Sequence, residues 1–431
     1  MEIQKKINYT TLTLTTIIVI LFFLGFYNNE NSAGAGNLQG DFGHIWHNLG
    51  LFKNEIIGSL NNEAYSDSRT PLAYILHVLF NPFIDNEFQF RVSVFIISLF
   101  APILFFFCLK INFVNINSKI LILISSLILL SPYFRTSAYW GLGENYGLIC
   151  LLASYLFLQK ALSKDIDKNV IINNIIIFCL CLFSSLCVYF DQKLLFVPML
   201  CFITFLNSNK SSTSKIKLIL YYSFLAIPMI YLVIIWGNIL PPFAASARKV
   251  GGSINIYNIG YCATIIAFYM APILIFFKKE NFFKRFKDFF SKKNLHLILF
   301  PFLIYLIILV FFDDFTQLPD LGKGLAHKII LILFNNIYTK MFFTFFAFGA
   351  SWIIITMYLK EISDKLVIFY LFLLSLFTFT IFQEYFDPLI LILLLTFFKT
   401  KIYPNFKNVL ALTLYLAVFL LSSNVYYKTI L

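Results

Sequence analysis

Charge is the scarcest property of this sequence. Only 13% of its 431 residues are Asp, Glu, Lys or Arg, against roughly 25% in a soluble globular domain. With 60% hydrophobic residues, 54 of the 431 being Phe, there is too little polar surface to cover a water-soluble fold, and no stretch is left for a separate soluble domain. Cysteine is sparse and unpatterned. Four of the seven (Cys179, Cys181, Cys187, Cys201) lie in apolar runs without metal-ligand or disulfide spacing, and read as small buried hydrophobes. No glycine-rich phosphate loop or dinucleotide fingerprint occurs, which argues against a cytosolic nucleotide site. No metal-ligand spacing supports a divalent ion, so no cofactor is expected.

What is abundant is the apolar run of about 20 residues, the length of a membrane-crossing helix. Thirteen are read, at about 10–27, 90–109, 119–132, 144–161, 170–188, 194–206, 218–237, 256–277, 296–312, 338–358, 366–382, 388–398 and 408–425. The expected fold class is therefore all-α. It is a polytopic membrane protein of about 13 transmembrane helices, forming one integral-membrane domain over 1–431. A large first outer loop, 28–89, carries interfacial helices. Spans three, six and twelve are short and are expected to be tilted or broken. The basic N-terminus MEIQKK and the run after it read as a retained signal anchor.

The net charge of +12 would suggest nucleic acid in a soluble protein. Here the positive-inside rule explains it, and no nucleic-acid partner is expected. With the N-terminus in the cytoplasm and the spans alternating, 22 of the 33 basic residues fall on the cytoplasmic side, including the cluster 278–293. That cluster reads as a solvated loop with an interfacial amphipathic piece. The expected location is a plasma membrane of bacterial inner-membrane type, with any site facing outward. Asp41, Arg69, Arg135, Glu144, Asp191, Lys193, Glu384 and Asp387 all fall outside, as do Arg248, Lys249, Asp313, Asp314, Asp320 and Lys323.

The stretch 41–77 is the longest polar interval and holds three of the five histidines, His44, His47 and His77. Ile45, Leu49, Phe52 and Ile56 recur at helical spacing, so 43–58 is expected to lie along the interface. Asp41 then reads either as the cap of that helix or as a carboxylate that orients or deprotonates a substrate hydroxyl. His44 and His47, three apart, are a weak metal signal and read as interfacial or hydrogen-bonded side chains. Arg69 precedes a Pro-started helix, where an arginine either snorkels or forks to a phosphate. Arg135 and Glu144 flank Trp140 in SPYFRTSAYWGLGENYGL. An aromatic belt accounts for the tryptophan but not for the two charges. Asp191 and Lys193 in YFDQKLLFVP read as a neutralising pair or as a lysine poised for a lipid phosphate. Glu384 and Asp387, in FQEYFDP, are charges in an apolar setting and therefore functional candidates.

Several of these stretches together resemble the GT-C superfamily of integral-membrane glycosyltransferases, which use polyprenyl-phosphate sugars. Within it the chain is similar to the protein mannosyltransferase and lipid A aminoarabinose transferase type. DFGHIWH resembles the family's catalytic-acid position at the head of the first outer loop. SRTPLAYIL resembles its basic-x-Pro-Pro-Leu stretch, with Thr70 in place of the first Pro. SPYFRTSAYWGLGENYGLICLLASYLFLQKAL resembles the segment joining the third and fourth spans, and YFDQKLLFVP the Lys-containing outer hairpin. The resemblance covers 1–206 and leaves 207–431 as a variable half. Phe42 and Gly43 stand where many members carry a second acid, and Glu384 where a basic residue is common.

The resemblance implies sugar transfer from a polyprenyl-phosphate donor to a glycan, lipid or protein acceptor at the outer face of the lipid bilayer. It casts Asp41 as the catalytic acid and Arg69, Arg135 and Lys193 as ligands of the donor phosphate, with His44, Glu144, Asp191, Glu384 and Asp387 in support. A transporter, flippase or polymerase of lipid-linked glycans is the competing class. A transporter would favour inverted repeats and broken helices near the midplane, and no internal repeat is evident.

Overall fold

The computed structural model describes residues 2–34, 36–163, 169–242, 254–290, 295–311, 322–378 and 380–430. Arg248, Lys249, Asp313, Asp314 and Asp320 lie outside them. Every regular element among the described residues is a helix. Seven helices are long and apolar enough to cross a membrane: Ile7–Tyr27, Glu87–Asn112, Val170–Phe190, Ser212–Trp236, Asn258–Phe276, Ile337–Thr356 and Phe406–Lys428. The chain is thus an all-helical protein of membrane character. The remaining expected spans are also helical over all or part of their length, but fall short of that length or apolarity.

The chain divides into two compact units, Met1–Val250 with Leu416–Leu431, and Gly251–Tyr415. The first begins with α1 (Glu2–Tyr27), α2 (Asp41–Asn54), α3 (Ile56–Ser59) and α4 (Leu72–Phe80). It continues with α5 (Glu87–Ser98), α6 (Phe100–Asn112), α7 (Ser118–Ser126), α8 (Pro132–Trp140) and α9 (Glu144–Leu162), then α10 (Val170–Phe190), α11 (Phe196–Leu206) and α12 (Ser212–Trp236). At its centre is α9, buried on nearly every face, as expected of a helix that is apolar all round. It packs on α10, α6, α11 and α8. Among its polar groups, Asn145 is satisfied inside, donating to Ser98 Oγ at 3.0 Å and to the Phe134 carbonyl at 3.1 Å. Gly147 leaves room for the α10–α11 turn, since a Cβ there would lie 2.8 Å from Leu194 and 3.4 Å from Asp191. That missing methyl lets Asp191 approach the start of α9.

The short third expected span ends in a sharp bend. After α7 a 3-10 turn (Leu127–Leu130) ends at Ser131, whose hydroxyl caps α8, and Pro132 opens that helix. The two pieces meet at 69°. A further interruption lies in α12 at Pro228. There the Tyr189 hydroxyl enters the backbone ladder, donating to the Leu225 carbonyl at 2.7 Å and accepting from Met229 N–H at 3.0 Å. A side chain inserted into the ladder is one of the recognised causes of a helix bend.

The stretch 43–58 is not one helix. Glu55 is extended (φ −156°, ψ 113°), and separates α2 from α3. The break lets Ser59 Oγ donate back to the Leu51 carbonyl at 3.0 Å and leaves Leu60 to accept from Trp236 Nε1 at 2.6 Å. The apolar face of α2 is as expected, with Ile45, Leu49 and Phe52 buried together with Phe42.

The second unit holds α13 (Asn258–Met270), α14 (Lys279–Phe289), α15 (Leu295–Phe311), α16 (Gly324–Leu333), α17 (Ile337–Thr356), α18 (Ile362–Leu376) and α19 (Leu389–Leu395). α20 (Phe406–Ile430) belongs to it up to Tyr415 and to the first unit from Leu416. α13 is its core helix, packed against α17 and α18.

The packing of α2 yields a matched pair of variants. A Cβ on Gly43 would lie 2.0 Å from the Leu38 carbonyl oxygen, a backbone atom that cannot rotate away, whereas one on Gly50 meets nothing within 4 Å. Gly43→Ala is expected to cost about 1–3 kcal/mol, and Gly50→Ala to be neutral or to gain up to about 1 kcal/mol from lost chain entropy. Thermal melting in detergent compares them. Equal melting points would contradict the packing at the head of α2.

Candidate functional site

Two arginines in the first unit were expected to serve the same ligand. The structure assigns them opposite circumstances. Arg135, on α8, is 2% exposed, and four of its five N–H donors are hydrogen-bonded. Nε donates to Glu30 Oε1 at 2.8 Å, Nη1 to the Leu129 carbonyl at 3.0 Å, and Nη2 to the Leu21 carbonyl at 3.0 Å and to Glu30 Oε2. Glu30 also accepts from Asn424 Nδ2 at 3.2 Å. Burial alone would raise the Glu30 pKa, but the hydrogen bonds and charge of Arg135 outweigh it and hold the carboxyl below its ordinary value. This buried pair ties α1, α8 and the C-terminal helix together, and its carboxylate already occupies two of the donors a phosphate would need.

Arg69 sits between elements instead. Tyr65 O–H donates to its carbonyl at 2.7 Å, and Asp67 Oδ1 accepts from its backbone N–H at 3.0 Å. These bonds fold residues 65–69 into a tight loop ahead of α4. The guanidinium reaches the Glu144 carboxylate at the first turn of α9, and Nη1 lies 3.6 Å from Asp67 Oδ2. Both members of the Arg69–Glu144 pair keep about a quarter of their side-chain surface exposed, 23% and 24%. Burial would weaken the charge on Arg69, yet Glu144, Asp67 and Asp191 together hold it firmly protonated.

The α10–α11 turn closes the third side. Asp191 ends α10, caps the 3-10 turn Gln192–Leu194 and pairs with Lys193 Nζ at 3.2 Å. Gln192 Nε2 donates to the Ser68 carbonyl at 3.1 Å, and Thr70 Oγ1 donates to the Tyr189 carbonyl. The expected Asp191–Lys193 pair is thus formed, and it borders the Arg69 loop. Asp67, Arg69, Thr70, Tyr74, His77 and Tyr146 line a small cavity there. It encloses only about 20 Å³, room for about one water.

Asp41 does not line that cavity. It is the first residue of α2, after Gly40, and makes no capping hydrogen bond, so the capping reading is corrected. Although the residue is exposed, partial loss of water raises its pKa. Arg69 lowers it, Glu144 and Asp67 raise it, and His44 lowers it, leaving a carboxyl above the ordinary aspartate value. His44 Nδ1 lies 3.2 Å from Ser66 Oγ, beside the same loop.

Glu384 and Asp387 belong to the second unit. Asp387 is buried and shares a side-chain hydrogen bond with Tyr269. Its neighbour Gln383 accepts from Leu325 N–H at 2.9 Å and donates to the Tyr269 hydroxyl at 3.3 Å. Sequence reasoning missed three residues of the first unit: Glu30, Asp67 and Tyr146. Asp67 lies two residues from Arg69 in SDSRTP, and an Asp that close to an Arg is a visible signal for a pair. Nothing local marked Glu30 as the partner of a residue 105 positions away.

No family model, characterised protein or solved structure matches this chain.

The contrast between the arginines has a measurable consequence. Arg135→Gln leaves Glu30 buried without its partner, which should cost about 3–5 kcal/mol, whereas replacing both by apolar residues (Arg135→Met with Glu30→Leu) should recover most of that loss. Melting of the purified variants tests it. If Arg135→Gln melted like the parent, the buried pair would not be the strut described.

Proposed function

We propose that this chain is an integral-membrane glycosyltransferase of the GT-C type, moving a sugar from a polyprenyl-phosphate donor to an acceptor at the extracytoplasmic face. The observation that carries the reading is the gathering of Arg69, Asp67 and Glu144 into one charge cluster, with Arg69 and Asp67 lining a cavity, Asp191 acting on Arg69 by charge, and Asp41 coupled to Arg69, Glu144 and Asp67. The likeness of DFGHIWH, SRTPL and YFDQKLLFVP to the family's stretches supports it.

In this reading Arg69 receives the donor phosphate. Its present partner is displaceable. Both partners keep about a quarter of their side-chain surface exposed, so the pair is weaker than a fully buried one, and the donor's singly charged phosphodiester offers the guanidinium two oxygens for bidentate binding. The cavity is too small for a sugar, so donor binding opens the Arg69–Glu144 contact. Lys193 lies close enough to add its charge. The chemistry is a displacement. The acceptor oxygen bonds to the anomeric carbon, the bond from that carbon to the phosphate oxygen breaks, and the polyprenyl phosphate leaves with the electron pair. The acceptor's proton passes to a carboxylate, assigned to Asp41, whose raised pKa makes it a better base than an ordinary aspartate. Arg69 stabilises the charge developing on the leaving phosphate. In the same reading the thirteen helical segments cross the bilayer with the N-terminus inside, as the basic residues require.

The test is Asp41→Asn. Since Asp41 makes no capping bond, the change should alter stability by no more than the helix-dipole contribution, about 0.3–1 kcal/mol, while the transfer rate falls about a hundredfold or more. Near-normal transfer would return Asp41 to a passive role. The pH profile adds a signed check. A base works only when ionised, so the rate falls as pH drops through the Asp41 pKa, and that limb should lie above the ordinary aspartate range. Glu144→Gln removes a charge that raises this pKa, so any remaining activity should show the limb moved to lower pH.

A further inference from the structure

The cavity beside Arg69 contains a hydrogen-bonded chain whose proton direction can be worked out atom by atom. Tyr146 Oη lies 2.8 Å from His77 Nε2, and His77 Nδ1 lies 2.9 Å from Asn81 Nδ2. Asn81 sets the direction. Its Oδ1 accepts from the backbone N–H of Phe83 at 3.0 Å, a group that can only donate, so the amide cannot be turned over. Its Nδ2 therefore faces His77 Nδ1 and, at 2.8 Å, Ser93 Oγ. Ser93 agrees: its own proton goes to the Phe90 carbonyl at 2.6 Å, leaving its oxygen to accept.

His77 Nδ1 is thus an acceptor. Burial pushes the His77 pKa down to about 4, so the ring is neutral at pH 7 and its one proton sits on Nε2. That N–H donates to the Tyr146 oxygen. The tyrosine's own proton cannot go back to the ring and must find another acceptor. Among the described residues the hydroxyl has no other hydrogen bond. Tyr146 is 8% exposed and held by ring contacts with Phe190 at 5.3 Å and His77 at 5.6 Å, and it lines the cavity.

Asp67 lines the same cavity and only accepts. Its Oδ1 takes the Arg69 N–H and its Oδ2 the Tyr74 hydroxyl at 2.6 Å, which leaves lone pairs over. One donor and one acceptor thus share a space the size of a water molecule. The group that satisfies both is a hydroxyl. We infer that Tyr146 donates a hydrogen bond to a hydroxyl of the acceptor substrate other than the one that attacks, with His77 and Asn81 as positioning residues that fix the direction of its proton. The inference rests on the glycosyltransferase reading for the identity of that hydroxyl, but not for the direction of the proton.

Two variants and one spectrum test it. Tyr146→Phe deletes the donor. Asn81→Asp keeps the Phe83 bond but presents a carboxylate to Nδ1, so at pH 8 the imidazole proton moves to Nδ1 and Nε2 captures the tyrosine's proton. Transfer is measured from polyprenyl-phosphate hexoses and pentoses to the lipid and glycan extract of cell envelopes. Each variant should raise the acceptor KM about tenfold and leave the donor KM unchanged, and the double variant should be no worse than either. A residue serving only the fold would show neither the split nor the lack of additivity. Nitrogen NMR of histidine-labelled protein, assigned with His77→Gln, should place the proton on Nε2 in the parent and on Nδ1 in Asn81→Asp. A parent proton on Nδ1, or unchanged acceptor KM in a protein that does transfer sugar, would overturn the inference and leave the glycosyltransferase reading standing. A parent protein that transfers no sugar would overturn both.

Discussion

The buried ion pair between Arg135 and Glu30 is the contact on which the first unit turns. In a chain with so few charges, an arginine at 2% exposure persists only when its charge is paired and most of its donors are satisfied, and here Glu30 and two backbone carbonyls do so. The pair holds the end of α1 against α8, and the Trp140 indole adds a bond to the Glu30 carbonyl at 2.9 Å. On the far side of Trp140 lies Arg91, stacked on the ring at 3.8 Å and donating to the Tyr139 carbonyl at 2.7 Å and Asn29 Oδ1 at 2.8 Å. The loop leaving α1 is thereby pinned at residues 29 and 30, which sets where α2 and the polar loop beyond it can reach.

That anchoring gives the second arginine its meaning. Arg69 carries the same charge as Arg135 but sits at a boundary between three elements. It pairs with carboxylates that keep contact with water. Breaking a buried pair costs several kcal/mol; breaking one that keeps contact with water costs less. The same residue type is therefore a strut in one place and a ligand-ready group in the other. Exposure decides which, and residue identity does not. In the proposed reading the carboxylates around Arg69 hold the place a phosphate would take; they also act on Asp41 by charge.

Much of the architecture was legible in the apolar runs, because helices in a membrane must satisfy their own backbone and so announce themselves by length. The bend at Ser131–Pro132 falls where the short third run ends. The amphipathic face of α2 was readable from the spacing of Ile45, Leu49 and Phe52, but its end at Glu55 was not, since that end depends on Ser59 and Trp236 finding carbonyls elsewhere. Site residues divide in the same way. Asp191 and Lys193 are two apart and pair locally, so their relation was visible. Arg135 was misassigned because its partner is distant in sequence and Glu30 lies in a stretch that looks like loose linker. Tyr146 stayed hidden among the 24 tyrosines because its role comes from the proton inventory of His77 and Asn81, and pattern carries no such information.

The central claim is that the Arg69 cavity receives a lipid phosphate. The most direct measurement is photocrosslinking with a polyprenyl-phosphate sugar that carries a diazirine next to the phosphate, followed by mapping of the labelled peptides. The account predicts labelling within 66–77 and 189–194, competed by unlabelled donor and weakened in Arg69→Gln. Saturable labelling confined to 254–415, untouched by Arg69→Gln, would contradict it.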